Sequence, residues 1–182
     1  MNFYALQVKS RAEAKFIEKV RALHPNITMP IHFPQRQIDI RKKSKIHHST
    51  LAVFPGYVFI EAESNEEILA KRMAFKRTPG FYRFLKSNKE ITPLSTRDLE
   101  LVLHFIKNFG PIAGRSKVYF NEDSRIVVIE GPLSGLEGRI IKVDKRKGRA
   151  KVKLDIYQDS FAIDLAFDVM GSMEIPGSGS RE

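Results

Sequence analysis

The sequence contains no cysteine. Disulfides, thiolate metal sites and a cysteine nucleophile are therefore excluded, and the composition fits a reducing compartment. No apolar run approaches the ~18 residues that a bilayer-crossing helix needs. The opening stretch MNFYALQVKSRAEAK turns charged too soon for the apolar core of a secretory signal, so a cytoplasmic location is expected. Catalytic signatures are missing too. The histidines, His24, His32, His47, His48 and His104, form no H-E-x-x-H pair, and no G-x-S-x-G elbow occurs. No enzymatic activity, cofactor or metal is expected.

Negative charge is also scarce, with 21 acidic against 31 basic side chains and a formal charge of +10. That balance favours a polyanionic partner, because each neutralised phosphate releases counterions. Residues 1–108 carry 19 basic and 10 acidic side chains, whereas residues 122–175 carry 9 and 10. Eight of those nine cations crowd together: Arg139, Lys142, Lys145, Arg146, Lys147, Arg149, Lys151 and Lys153, with only Asp144 among them. In GRAKVKLDI, side chains alternate across a strand, so Val152, Leu154 and Ile156 take one side while Arg149, Lys151 and Lys153 take the other. Lys145, Arg146 and Lys147 fall in the adjoining hairpin turn, closed by Gly148. A solvated hairpin with lysines guarding its edge would show this pattern. Its density is also the usual electrostatic footprint of an RNA- or DNA-binding face, and that reading is preferred.

The glycines at 131, 135 and 138 do not form a phosphate loop. Their spacing fits neither G-x-G-x-x-G nor the P-loop, and the RIIKV that follows reads as a strand rather than a helix. They are expected at positive-φ turns of a tight barrel.

Along the chain, FYALQV (3–8) predicts a strand, and Ser10 with Glu13 a capping box that starts a helix. Residues 27–40 are extended, RKKSKIHHST (41–50) reads as a basic loop, and LAVFPGYVFIEA (51–62) as a strand bent at Pro55-Gly56. Ser64 and Glu67 predict a second helix over about 66–76, TPGFYRFL a turn and a short strand, and Ser95 with Asp98 a third helix stopped by Gly110-Pro111. The first part (1–108) is thus β-α-β-β-α-β-α, an α+β sandwich with its helices on one face of the sheet. Residues 109–121 read as a linker. Residues 122–175 read as a small all-β barrel and 176–182 as a tail. Phe54, Tyr57 and Phe59 are not expected to face one way; the surplus of aromatics is read either as core on one side with helix cover on the other, or as an exposed patch that would mark a protein interface.

The segments FYALQV, VFPGYVFIE and RTPGFYRFL resemble the N-terminal domain of the NusG family of transcription elongation factors. Residues 123–170, with EGPLSGLEGRI, resemble that family's KOW domain, an SH3-like β-barrel. The resemblance implies a monomeric, non-enzymatic factor that does not bind membranes. Its N-terminal domain would dock on RNA polymerase at the β′ clamp helices and reach towards the β subunit. The matching positions are Phe3, Tyr4, Phe54, Pro55 and Tyr57. Arg41, Lys42, Lys43 and Lys45 would touch DNA. Ile156 and Tyr157 match the loop through which KOW domains bind Rho or NusE. The crowded basic hairpin, Phe in place of Trp on the first strand and Gln158-Asp159 in place of Gly-Arg depart from the housekeeping pattern. They resemble the specialised LoaP type, antiterminators whose KOW domain recognises an RNA hairpin. A general elongation factor that binds only Rho or NusE, and a ribosome-associated KOW protein, stand as alternatives.

Overall fold

The computed structural model describes residues 1–42 and 45–171, with the side chains of Arg41 and Lys42 also left out. Lys43 and the expected tail 176–182 lie outside the described residues. The elements run β1 (Asn2–Val8), α1 (Glu13–Leu23), β2 (Ile31–His32), β3 (Gln35–Lys42), β4 (Lys45–Ala52), β5 (Tyr57–Ala62), α2 (Asn65–Arg77), β6 (Phe81–Phe84) and α3 (Thr96–Phe109). The chain continues with β7 (Ile112–Ala113), β8 (Ser116–Phe120), β9 (Ile126–Glu130), β10 (Ile140–Asp144), β11 (Arg149–Ile156) and β12 (Asp159–Val169).

Strands β1 and β5 are apolar on both faces, so both faces need cover. They sit centrally in the sheet β2-β5-β1-β6. One face, with Tyr4, Leu6, Val58 and Ile60, packs on Phe16 and Val20 of α1 and Ile68 and Phe75 of α2. The other, with Ala5, Tyr57 and Phe59, packs on Leu101, Val102 and Phe105 of α3. The helices therefore cover opposite faces, not one as expected. Phe54, Tyr57 and Phe59 also share a single cluster. Alternation holds for Tyr57 and Phe59, two residues apart, but Phe54 precedes the Pro55-Gly56 turn and escapes the period.

The described residues of the basic segment 41–50 are strand, not loop. β4 pairs with β3 from Gln35↔Ala52 to Lys42↔Lys45, and with β7 they make a second sheet, β4-β3-β7. Nearly every β4 side chain is exposed, so no apolar period announced the strand.

The second part is a sheet ordered β10-β11-β12-β8-β9 that forms a small SH3-like β-barrel. Its longest strand joins two neighbours: β12 pairs with β11 through Asp159–Ala166, then with β8 through Phe167–Val169. Gly131 holds φ 102°, and a Cβ there would fall 2.6 Å from the Ser116 Cα, so only glycine fits. Gly135 is likewise at positive φ, but Gly138, expected to be so, is not; it lies in a 3-10 turn over Glu137–Arg139. The expected linker 109–121 contains two strands. β7 pairs with β3 of the first part and β8 with β9 and β12 of the barrel, which leaves Gly114-Arg115 as the joint. Such two- and five-residue strands, set among glycines, leave no readable period.

Candidate nucleic-acid interface and a covered apolar face

One apolar cluster runs through both parts of the chain. The Phe54 ring lies edge-on to Phe59 and Phe105, with centroids 5.2 and 5.8 Å away, and to Phe161 of β12 at 6.1 Å. Tyr57 donates its hydroxyl to Asp159 of the barrel. Burial first, and this bond next, push the phenol above its ordinary pKa. Phe54 and Tyr57 are 0% and 2% exposed. The open aromatic patch expected from the sequence is thus covered by the chain's own barrel. Pro55 alone among the expected docking residues is exposed. Phe3 is buried on His32, their rings stacked at 5.7 Å. Tyr4, its neighbour on the strand, faces the α1 and α2 side and donates to Asn65 Oδ1 at 3.3 Å. The structure therefore brings Phe54 and Tyr57 together and separates Tyr4 from them.

Polar contacts hold the same seam. Arg36 is buried; its Nε donates to the Asp164 carbonyl at 2.7 Å and its Nη1 to the Ala52 carbonyl. Burial lowers its pKa to about 10. His104 Nε2 donates to the Pro132 carbonyl at 3.0 Å. The Tyr157 amide donates to Asp98 at 3.1 Å. Tyr157 is exposed at φ 56°, whereas Ile156 is buried. Arg115 donates to Asp39 and Asp168, each at 2.8 Å, and to the Phe167 carbonyl at 2.7 Å. Sequence reasoning missed Arg36 and Arg115. In QRQIDI the first reads as an outward polar residue, and the second stood in the expected linker.

The eight barrel cations fall into overlapping groups. Pairing sets Lys142, Lys151 and Asp164 in one row and Asp144 against Arg149 in the next. Lys142, Lys147, Arg149 and Lys151, with Asp144 and Asp164, line a shallow cleft of about 140 Å³. Lys145, Arg146, Lys147 and Arg149 line a larger one of about 600 Å³. Lys145 Nζ sits 3.9 Å from the Phe120 ring centroid. Arg139 and Lys153 line neither cleft. Arg139 pairs with Asp155 at 3.6 Å, and Lys153 stands opposite Ala162. Acids from neighbouring strands interleave with this face: Asp164 lies 4.0 Å from Arg149 and 3.7 Å from Lys151. A hydrogen bond from Ser160 first, and nearby cations next, hold the Asp155 carboxyl below its usual range. Of the expected DNA contacts, Lys45 opens β4, exposed, and Arg41 and Lys42 are in β3.

Comparison with known proteins gives a consistent picture. The family model described as "Transcription termination factor nusG" matches residues 1–103. The transcription termination/antitermination protein NusG of Helicobacter pylori (strain ATCC 700392 / 26695) is 28% identical over 172 residues, spanning 91% of this chain and 94% of that one. The Thermus thermophilus protein of the same name is 23% identical over 164 residues, 87% and 89% of the two chains. The solved structure "Domain interaction in Thermotoga maritima NusG" shares the fold, with a TM-score of 0.56 at 22% identity over 91% of this chain and 93% of that one.

Proposed function

The chain belongs to the NusG family of transcription factors, and from that premise we propose that it is a processive antitermination factor. It rides on RNA polymerase through its N-terminal part and holds nascent RNA with the basic face of its barrel. It acts in the cytoplasm by binding, not by catalysis. One observation carries the RNA reading: Lys142, Lys147, Arg149 and Lys151 line a single cleft on the outer face of β10 and β11. Ion pairs as exposed as those with Asp144 and Asp164 are weak and exchange readily for phosphate. Docking on polymerase, at the β′ clamp helices and towards β, uses Phe54, Pro55 and Tyr57. The support is that Phe54 and Tyr57 lie at the seam between the two parts. Moving the barrel aside takes the Phe161 ring off Phe54 and the Asp159 carboxylate off Tyr57, and docking uses that movement. Lys45, with Arg41, Lys42 and Lys43 close to it in the sequence, supplies the DNA contact.

Purified polymerase transcribing through a terminator tests this, with and without a leader RNA hairpin. Read-through should require both protein and hairpin. In gel shifts, the log of the RNA affinity should fall with log salt, and replacing Lys142, Lys147, Arg149 and Lys151 by alanine should flatten that slope. An unchanged slope removes the RNA site.

A further inference from the structure

We infer that the larger cleft is a binding site for the backbone of a single-stranded polynucleotide, built jointly by both parts of the chain. This rests on the proposed reading of the barrel as a nucleic-acid module and adds a second wall to it. Ile40 and Ile46 of the β3–β4 hairpin form one side of the cleft, and Lys145, Arg146, Lys147 and Arg149 of the barrel hairpin the other. Neither part alone has the cleft.

Its electrostatics favour an anion. Two carboxylates also line it, Asp39 and Asp168, but both bind Arg115 at 2.8 Å, and Asp39 also meets His48 Nδ1 at 2.6 Å. Arg115 offsets one of the two acids, and the four hairpin cations leave the lining net positive. Among the described residues, Lys147 and Arg149 have only the long pairs to Asp144 and Asp164, at 3.6 and 4.0 Å. Arg146 makes no ion pair among the described residues. The Arg149 Nε is buried and has no hydrogen-bond partner among the described residues.

The opposite wall narrows the class of ligand. Ile40 and Ile46 are 40% and 55% exposed, and they face charge across the cleft rather than a core. A single strand presents both a phosphate edge and uncovered sugar and base faces, matching a wall of each kind. A duplex offers this depth of cleft little but its charged backbone. A strand lying between the walls touches both parts of the chain and so favours the seated barrel; binding in this cleft therefore opposes polymerase docking, and RNA held while on polymerase uses the separate cleft lined by Lys142 and Lys151.

The test uses the full chain and two fluorescein-labelled probes, a twelve-nucleotide oligouridylate and its oligothymidylate counterpart, read by anisotropy at low salt. Ile46→Glu and Ile40→Glu place an acid on the N-terminal wall and leave every barrel cation intact. Each should weaken binding about tenfold, and Ile46→Lys should tighten it, because the effect follows the sign of charge. Both positions are exposed, and an unchanged melting temperature verifies folding. A charge-dependent change with either probe supports the joint cleft and identifies which strand chemistry it takes. If neither probe responds while the alanine replacements at Lys145, Arg146, Lys147 and Arg149 abolish binding, the barrel binds alone and the joint cleft is wrong. If those replacements also leave binding unchanged, the reading of the barrel as a nucleic-acid module falls as well.

Discussion

Glu13 shows how a single side chain can be diverted from the role its local sequence suggests. Ser10-x-x-Glu13 has the spacing of a capping box, yet Ala12 is the N-cap, with no side-chain cap. The Glu13 carboxylate instead accepts the buried Gly56 amide at 2.7 Å. Sequence spacing cannot register a competitor 43 residues away. Glu13→Ala should leave that amide unmatched and cost about 1–3 kcal/mol, read from the urea midpoint. Glu13→Gln, which keeps an acceptor, should cost less. Asp144 gives a prediction in pH. It accepts the Lys147 amide at 3.0 Å, and this bond first, then the charge of Lys147, lowers its pKa. A depressed carboxylate stabilises its turn above the unfolded pKa, and the effect is lost as pH falls through the lower, folded value. By NMR, the carboxyl should titrate below the ordinary 3.8, and the Lys147 amide shift should follow it.

At the scale of elements, legibility depended on whether the deciding contact was local. Ser64 and Ser95 accept the amides of Glu67 and Asp98, both at 3.2 Å, as their spacing predicted. Ser64→Ala should therefore cost about 1 kcal/mol in thermal or urea unfolding. The face of β11 was equally readable, since Ala150, Val152, Leu154 and Ile156 are all buried at period two. Strand β4 was not, because a strand without a buried face carries no period. The barrel hairpin depends on Gly148 at φ 60°, where a Cβ would meet the Phe167 carbonyl oxygen at 2.8 Å. Gly148→Ala should destabilise the chain by more than about 1 kcal/mol and weaken RNA binding, because the cations at 145–149 lose their common geometry. Paired urea melts and gel shifts check both effects.

For the whole molecule, the composition of each part was legible but their mutual packing was not. Phe161 reads as an ordinary strand residue, and nothing in one dimension says that its ring meets Phe54, 107 positions earlier in the sequence. The charged face was half legible: its cations were evident, and so was Asp155 by alternation along β11, but Asp164 joins it only through strand pairing. Phe161→Asp puts a carboxylate into the seam and should release the barrel. The radius of gyration from X-ray scattering should rise above the ~16 Å expected for a compact chain of this length. Affinity for polymerase should rise with it. Even a released barrel would remain on a short leash, because only Gly114 and Arg115 separate β7 from β8. With so brief a tether, its effective concentration near the vacated seat lies in the millimolar range. Any outside protein that takes the seat must outcompete a neighbour that never diffuses away, so occupancy would respond sharply to how many contacts the newcomer makes at once.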